Sequence, residues 1–251
     1  MLKYRKASNA SGMPKITKAI IAVAGFGTRF LPATKVQPKE MLPLIDRPIV
    51  QYLVEEAVAS GIKEVILVTR PGVSLIKQHF GPKITLEEHL NNQGKGHLVK
   101  KLRQIGKMAR LRFVEQDPEL PYGTGSPLLS CRRRIKRGEF FVFMFGDDLV
   151  KAEVPATKQL LNLWRKHPLA WILGVQEVPL DQVSRYGIIK FKAGNTREVA
   201  DLVEKPQFNK APSRFASFGR FIFNWEILKI LERQLERLSG DQEFYLTEAI
   251  S

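Results

Sequence analysis

The 251-residue chain has one cysteine, Cys131. A single thiol excludes an internal disulfide, cannot supply zinc-finger spacing, and fits a reducing compartment. No histidine or second cysteine lies beside it, so Cys131 reads as a packing residue rather than a nucleophile or metal ligand. No stretch approaches the ~18 consecutive apolar residues of a membrane-spanning helix, which excludes a membrane partner of that kind. The opening MLKYRKASNASGMPKITK lacks the apolar block of a secretory signal. Residues 1–17 read instead as a basic, flexible tail on a cytoplasmic protein. Internal repeats and low-complexity linkers are missing as well, so residues 18–251 read as one domain.

Acidic residues are in the minority: the formal net charge is +15. Lysine and arginine gather in the tail, between Lys95 and Arg112, and in CRRRIKR at Cys131–Arg137. Such a balance points to anionic partners or to a solvated basic surface. The absence of aromatics within CRRRIKR argues against a single-strand stacking platform. No sequence-specific nucleic-acid partner is expected.

What is present is an alternation of apolar runs with helical patterns. Ala19–Ala24, Glu64–Thr69 and Phe140–Phe145 read as fully buried strands, with Leu111–Glu115 as a fourth. Helical spacing marks Ile49–Ala59, closed by Ser60-Gly61, a basic stretch at Leu98–Ala109, and Ala156–Lys166. Further strands are expected at Trp171–Val178, Gly187–Phe191 and Phe218–Phe223, and an amphipathic helix at Trp225–Leu238. This pattern predicts an α/β, Rossmann-like fold: a mostly parallel sheet with helices on both faces. The second half should add a smaller lobe.

A glycine loop, GFGTRF at Gly25–Phe30, follows the first apolar run directly. Glycines there let backbone N–H groups approach phosphate oxygens. The dinucleotide fingerprint fails, because Phe30 occupies the third glycine position, and no Gly-Lys-Ser/Thr completes a Walker A loop. Arg29, Lys35 and Lys39 follow closely; arginine holds phosphate bidentately and lysine supplies a point charge.

The longer string AGFGTRFLPATKVQPKEMLPLIDRPIVQYLVEEAVASGI, from Ala24 to Ile62, resembles the N-terminal signature of bacterial UTP–glucose-1-phosphate uridylyltransferases in the sugar nucleotidyltransferase superfamily. The resemblance continues through FVEQDPELPYGTGSPLL, GDD, VQEVP, VSRYGII, DLVEKP and GDQEFYLTEAI, covering roughly residues 18–250. It departs at Ser126-Pro127, where the family usually has His-Ala, and at Glu248, where it usually has Asp. It implies that Ala24, Gly25, Gly27 and Thr28 cradle the nucleotide, and that Gln116 and Gly123 meet the uracil edge. It gives Arg29, Lys39 and Lys205 catalytic roles toward the phosphates and places Gly187 and Glu204 against the hexose. It assigns Mg²⁺ to Asp147, with Asp148 more structural.

The implied reaction is an in-line displacement at the α-phosphorus of UTP by glucose 1-phosphate, releasing pyrophosphate. Charge neutralisation and positioning dominate such chemistry, and no general base is needed. Two alternatives stay open: dTTP as donor, and a catalytically weak regulator or nucleic-acid-binding protein on the same fold. Members of the family continue for a few dozen residues beyond the LTEAI segment, so the chain is expected to be truncated at its C-terminus. Apolar area exposed along Trp225–Leu238 would then invite association. A homo-oligomer is the expected state.

Overall fold

The computed structural model describes residues 15–194, 198–240 and 242–250. Residues 1–14 of the expected tail lie outside the described residues.

In chain order the elements are β1 (Lys18–Val23), a short hairpin of β2 (Pro43–Leu44) and β3 (Arg47–Pro48), α1 (Ile49–Ala59), β4 (Glu64–Thr69), α2 (Leu75–Phe80), α3 (Ile84–Asn92), α4 (Gly96–Ile105), β5 (Arg110–Glu115), α5 (Ser126–Ser130), β6 (Phe140–Phe145), α6 (Ala156–Lys166), β7 (Ile172–Glu177), β8 (Gly187–Phe191), β9 (Val199–Glu204), β10 (Phe215–Asn224) and α7 (Glu226–Arg237). Among the described residues, no helix is long and apolar enough to cross a membrane.

One eight-stranded sheet organises the molecule, in the order β5-β4-β1-β6-β10-β8-β9, with β7 also paired to β10. β5, β4, β1 and β6 run parallel to one another. From β10 onward every pairing is antiparallel. The sheet is therefore mixed: a parallel half from the first 145 residues, and an antiparallel half from the residues that follow.

Side-chain alternation along the apolar strands explains the layering. Ile21, Val23, Val65, Leu67, Val142 and Met144 face one core, covered by Val50, Leu53, Val54 and Ala57 of α1 and by Leu160, Leu161 and Trp164 of α6. Ile20, Ile66, Val68, Phe141 and Phe143 face the other, covered by Leu128 and Leu129 of α5 and Ile227, Leu228 and Leu231 of α7. Leu235 and Leu238, the far end of the expected amphipathic stripe, are partly covered. Cys131 is buried in the second core, where desolvation pushes its thiol up to about 12, as a packing residue requires.

β1 starts one residue earlier than the apolar run suggests, at Lys18. That lysine is buried, donating to the carbonyl of Arg134 at 2.6 Å and pairing with Glu139 at 2.8 Å. Its charge is matched from loops more than a hundred residues away, which local pattern does not encode.

Candidate active site

The C-terminal ends of the parallel strands are where ligands bind in open α/β sheets. Here they open into a cleft of about 1070 Å³ that reaches across to the antiparallel half. Ala24, Gly25, Gly27, Thr28, Arg29, Lys39, Gln116, Gly123, Asp147, Gly187, Glu204 and Lys205 all line it. Residues scattered over 180 positions of sequence thus converge on one concavity.

The glycine loop leaves β1 and turns at Gly27, whose φ of 67° is a left-handed conformation that favours glycine. The Gly27 carbonyl accepts from the Phe30 N–H at 2.9 Å and from Thr34 Oγ1 at 2.7 Å, closing the loop on itself. A Cβ at Gly25 would lie 3.3 Å from Lys39 Nζ, so the loop folds over the lysine side chain.

Lys39 Nζ donates to Asp147 Oδ2 at 2.6 Å, joining the phosphate-loop region to the turn after β6. Asp147 is exposed to the cleft, while Asp148 is half-buried and accepts the Gly219 N–H through Oδ2 at 2.7 Å. Burial raises the Asp148 pKa, with the Gly219 hydrogen bond opposing it. The two adjacent carboxylates are therefore distinct: one faces the ligand space and the other holds the turn.

Beneath them Glu40 is 1% exposed, and its Oε2 is buried with no hydrogen-bond partner among the described residues. Desolvation pushes its pKa up to about 7.

Beside β4 and β5, the Gln116 N–H donates to the Thr69 carbonyl at 2.7 Å, fixing the residue just beyond β5. Gly123 has φ 149°, and a Cβ there would stand 2.3 Å from the Phe244 carbonyl oxygen. Backbone bonds between Tyr122 and Phe244 and between Gly125 and Phe244, at 2.8 and 2.9 Å, zip this loop to the C-terminal segment. At the departure from the family pattern, Ser126 Oγ donates to the Pro121 carbonyl at 2.5 Å, and Pro127 lines the cleft as α5 begins.

At the opposite end, Gly187 pairs in register with Glu204, and a Cβ on Gly187 would sit 3.2 Å from Glu204 Oε2. Lys205 adopts φ 42°, rare for a non-glycine residue, held by its N–H donating to the Tyr186 carbonyl at 3.0 Å. Its ammonium lies 3.5 Å from Glu204 and 5.5 Å from the centre of the Tyr245 ring. The Tyr245 hydroxyl donates to Glu243 at 2.6 Å, and both line the cleft. Neither was singled out by sequence reasoning, although GDQEFYLTEAI contains them; without the fold that segment has no visible route to the cleft.

Among the described residues there is no group of three or more His, Cys, Asp or Glu able to hold a metal by itself. A hard cation bound here would take Asp147 and complete its shell with ligand oxygens, which is how Mg²⁺ is commonly held beside phosphates.

The glycine loop, the lysine–aspartate contact at the strand ends and the Glu204–Lys205 pair thus share one cleft. The chain belongs to the nucleotidyl transferase family, whose model matches residues 18–249. It is 42% identical over 240 residues to the UTP–glucose-1-phosphate uridylyltransferase of Bacillus subtilis strain 168, covering 95% of this chain and 80% of that protein. Among solved structures it is similar to the UTP-bound UGPase of Acinetobacter baumannii, with TM-score 0.82, 32% identity, and 94% and 81% of the two chains covered. A UDP-glucose pyrophosphorylase complexed with UDP-glucose superposes with TM-score 0.77 at 32% identity, covering 94% of this chain and 86% of that one.

Proposed function

We propose that this protein transfers the uridylyl group of UTP to glucose 1-phosphate, giving UDP-glucose and pyrophosphate. The observation that carries the reading is the convergence of the glycine loop, the Lys39–Asp147 contact, and the Gly187–Glu204–Lys205 set on one cleft. Its relatives' names support the choice of substrates.

In this reading an oxygen of the sugar phosphate attacks the α-phosphorus of UTP. A new P–O bond forms as the bond from the α-phosphorus to the bridging oxygen breaks, and pyrophosphate leaves with that electron pair. The attacking phosphate is already ionised at neutral pH, so no proton need be removed. Arg29 and Lys39 neutralise the triphosphate and the departing pyrophosphate, and Lys205 draws in the sugar phosphate. Glu204 accepts hydrogen bonds from hexose hydroxyls. Gln116 offers both donors and an acceptor to the uracil edge, and the constrained backbone at Gly123 approaches the same ring. Asp147 would hold Mg²⁺, which would supply Lewis-acid charge neutralisation to the phosphates, and Lys39 orients the Asp147 carboxylate.

A pyrophosphate-release assay with UTP, dTTP, CTP, ATP and GTP against a panel of sugar 1-phosphates, with and without Mg²⁺, tests this. The expected result is turnover highest with UTP and glucose 1-phosphate and abolished by chelation. Preference for dTTP would reassign the donor, and turnover with no pair would overturn the reading.

A further inference from the structure

Arg220 is 0% exposed, yet it sits in the middle of β10 at a core position. Its register partner is Met144 and its same-face neighbour is Ile222, both in the apolar core under α1 and α6. An arginine there needs a reason, because a volume-matched apolar side chain at such a place is often as stabilising or more so.

The guanidinium is held on all sides. Nε and one terminal nitrogen donate to the Glu56 carboxylate at 3.0 and 2.7 Å. That same nitrogen donates to the Asp148 carbonyl at 2.7 Å, and the other to the Gly219 carbonyl at 2.8 Å. Glu56 in turn accepts from the Thr157 N–H and hydroxyl at 3.0 and 2.7 Å, at the start of α6. Burial works against a charge on Glu56, but Arg220 and Thr157 hold its carboxyl below the usual range.

The donors left over from the ion pair therefore go to the backbone under the cleft. Asp148 is tied twice, by its carbonyl to Arg220 and by its side chain to the Gly219 N–H. On the other flank, the Gly146 N–H donates to the Ala22 carbonyl at 2.9 Å. Asp147 lies between these anchors, and its own carboxylate contacts Lys39. The β7–β10 register shifts between Ser217 and Phe221, placing the irregular stretch of β10 at this point.

Resting on the nucleotidyl-transfer reading above, we infer that Glu56 and Arg220 are positioning residues for Asp147: the buried pair grips the turn from below and fixes where the metal-binding carboxylate points. Neither touches substrate.

The experiment compares wild type, Arg220→Lys and the double variant Glu56→Met with Arg220→Met. Three quantities are measured: thermal midpoint, kcat and KM for UTP, and affinity for Mn²⁺ in the presence of UTP, read by water-proton relaxation. The double variant removes both charges together, so no buried ion is stranded. It is expected to keep a midpoint near wild type while kcat falls at least ten-fold, KM changes less than three-fold and Mn²⁺ affinity falls several-fold. Arg220→Lys keeps a charge for Glu56 but lacks the fork that reaches the Asp148 carbonyl. It should share the loss of kcat and Mn²⁺ affinity, and it carries the test alone if the double variant does not fold. Wild-type kcat and Mn²⁺ affinity in either folded variant would overturn the inference. So would losses that follow the midpoint alone and vanish on cooling. A wild-type protein inactive with every substrate pair is a separate failure, that of the functional reading, and leaves the Mn²⁺ measurement to decide this one.

Discussion

Lys39 Nζ and Asp147 Oδ2 stand 2.6 Å apart, although 108 residues separate them in sequence. The contact joins the loop after β1 to the turn after β6 across the cleft, and each charge lowers the cost of desolvating the other there.

Asp147→Asn removes the exposed carboxylate and leaves the Lys39 side chain without its anion. We expect kcat to fall by about 100-fold or more, with the circular dichroism spectrum unchanged. Asp148→Asn should instead lower the thermal midpoint while costing less than about ten-fold in kcat, because Asp148 serves the Gly219 N–H. Steady-state kinetics on both variants checks the order; a larger kcat loss for Asp148→Asn at saturating Mg²⁺ would reverse the assignment.

Glu40 makes stability depend on pH. Its folded-state pKa of about 7 lies above the ordinary 4.5 because burial favours the neutral acid. The associated stability is present in full below about pH 4.5 and is lost as pH rises toward 7. Glu40→Gln, neutral throughout, should be more stable than wild type at pH 8 by up to about 3 kcal/mol, and near parity at pH 4.5. Urea melts across that range measure the difference.

Gly146 has no room for a side chain: a Cβ would lie 2.4 Å from the Ala22 carbonyl oxygen and 2.7 Å from Val23 Cγ1. Gly146→Ala must therefore push the Asp147 turn off β1. The expected cost is about 1–3 kcal/mol of stability, with a loss of activity greater than that stability change explains. Paired melts and turnover at a temperature well below both midpoints separate the two effects.

The basic surface predicts weak, non-specific DNA binding. Counterion release makes such binding fall steeply with salt, so a gel shift visible in low salt should vanish near physiological ionic strength. Tight binding to one sequence under those conditions would revive the nucleic-acid alternative.

Apolar runs mark β1, β4 and β6 in the sequence, because strands buried on both faces have no polar alternation to hide them. Strand direction was not legible: Trp171–Val178 and Phe218–Phe223 have the same period whether the chain runs up or down. The four strands β7 to β10 pair antiparallel within the mixed sheet. β9 is masked in the sequence by the DLVEKP motif, α2 by its length of six residues, and α3 by its largely polar composition. The cleft residues were legible through family resemblance, and all twelve line the same cleft. Tyr245 and Glu243 were missed, since only the backbone zipper between Phe244 and the Gly123 loop brings them there. Arg220 leaves a trace in the sequence: a lone arginine in FASFGRFIFN interrupts an apolar strand at an inward position. Its partner Glu56 sits on α1 between core residues Val54 and Ala57.

The placement of β10 at the seam of the sheet also dictates an order of events at the ribosome. The parallel half is complete in the emerging polypeptide once residue 145 is free, but β10 spans Phe215–Asn224. Until it docks, Glu56 has only Thr157 to satisfy it, and the floor beneath Asp147 is open. A nascent chain that ends before β10 therefore has its four parallel strands but lacks both the counter-charge below the Asp147 turn and the α7 side chains that cover the second core. Arg220 closes that gap from both sides, to Glu56 and to the Asp148 carbonyl, so the floor of the cleft is completed by a residue synthesised after the whole parallel half.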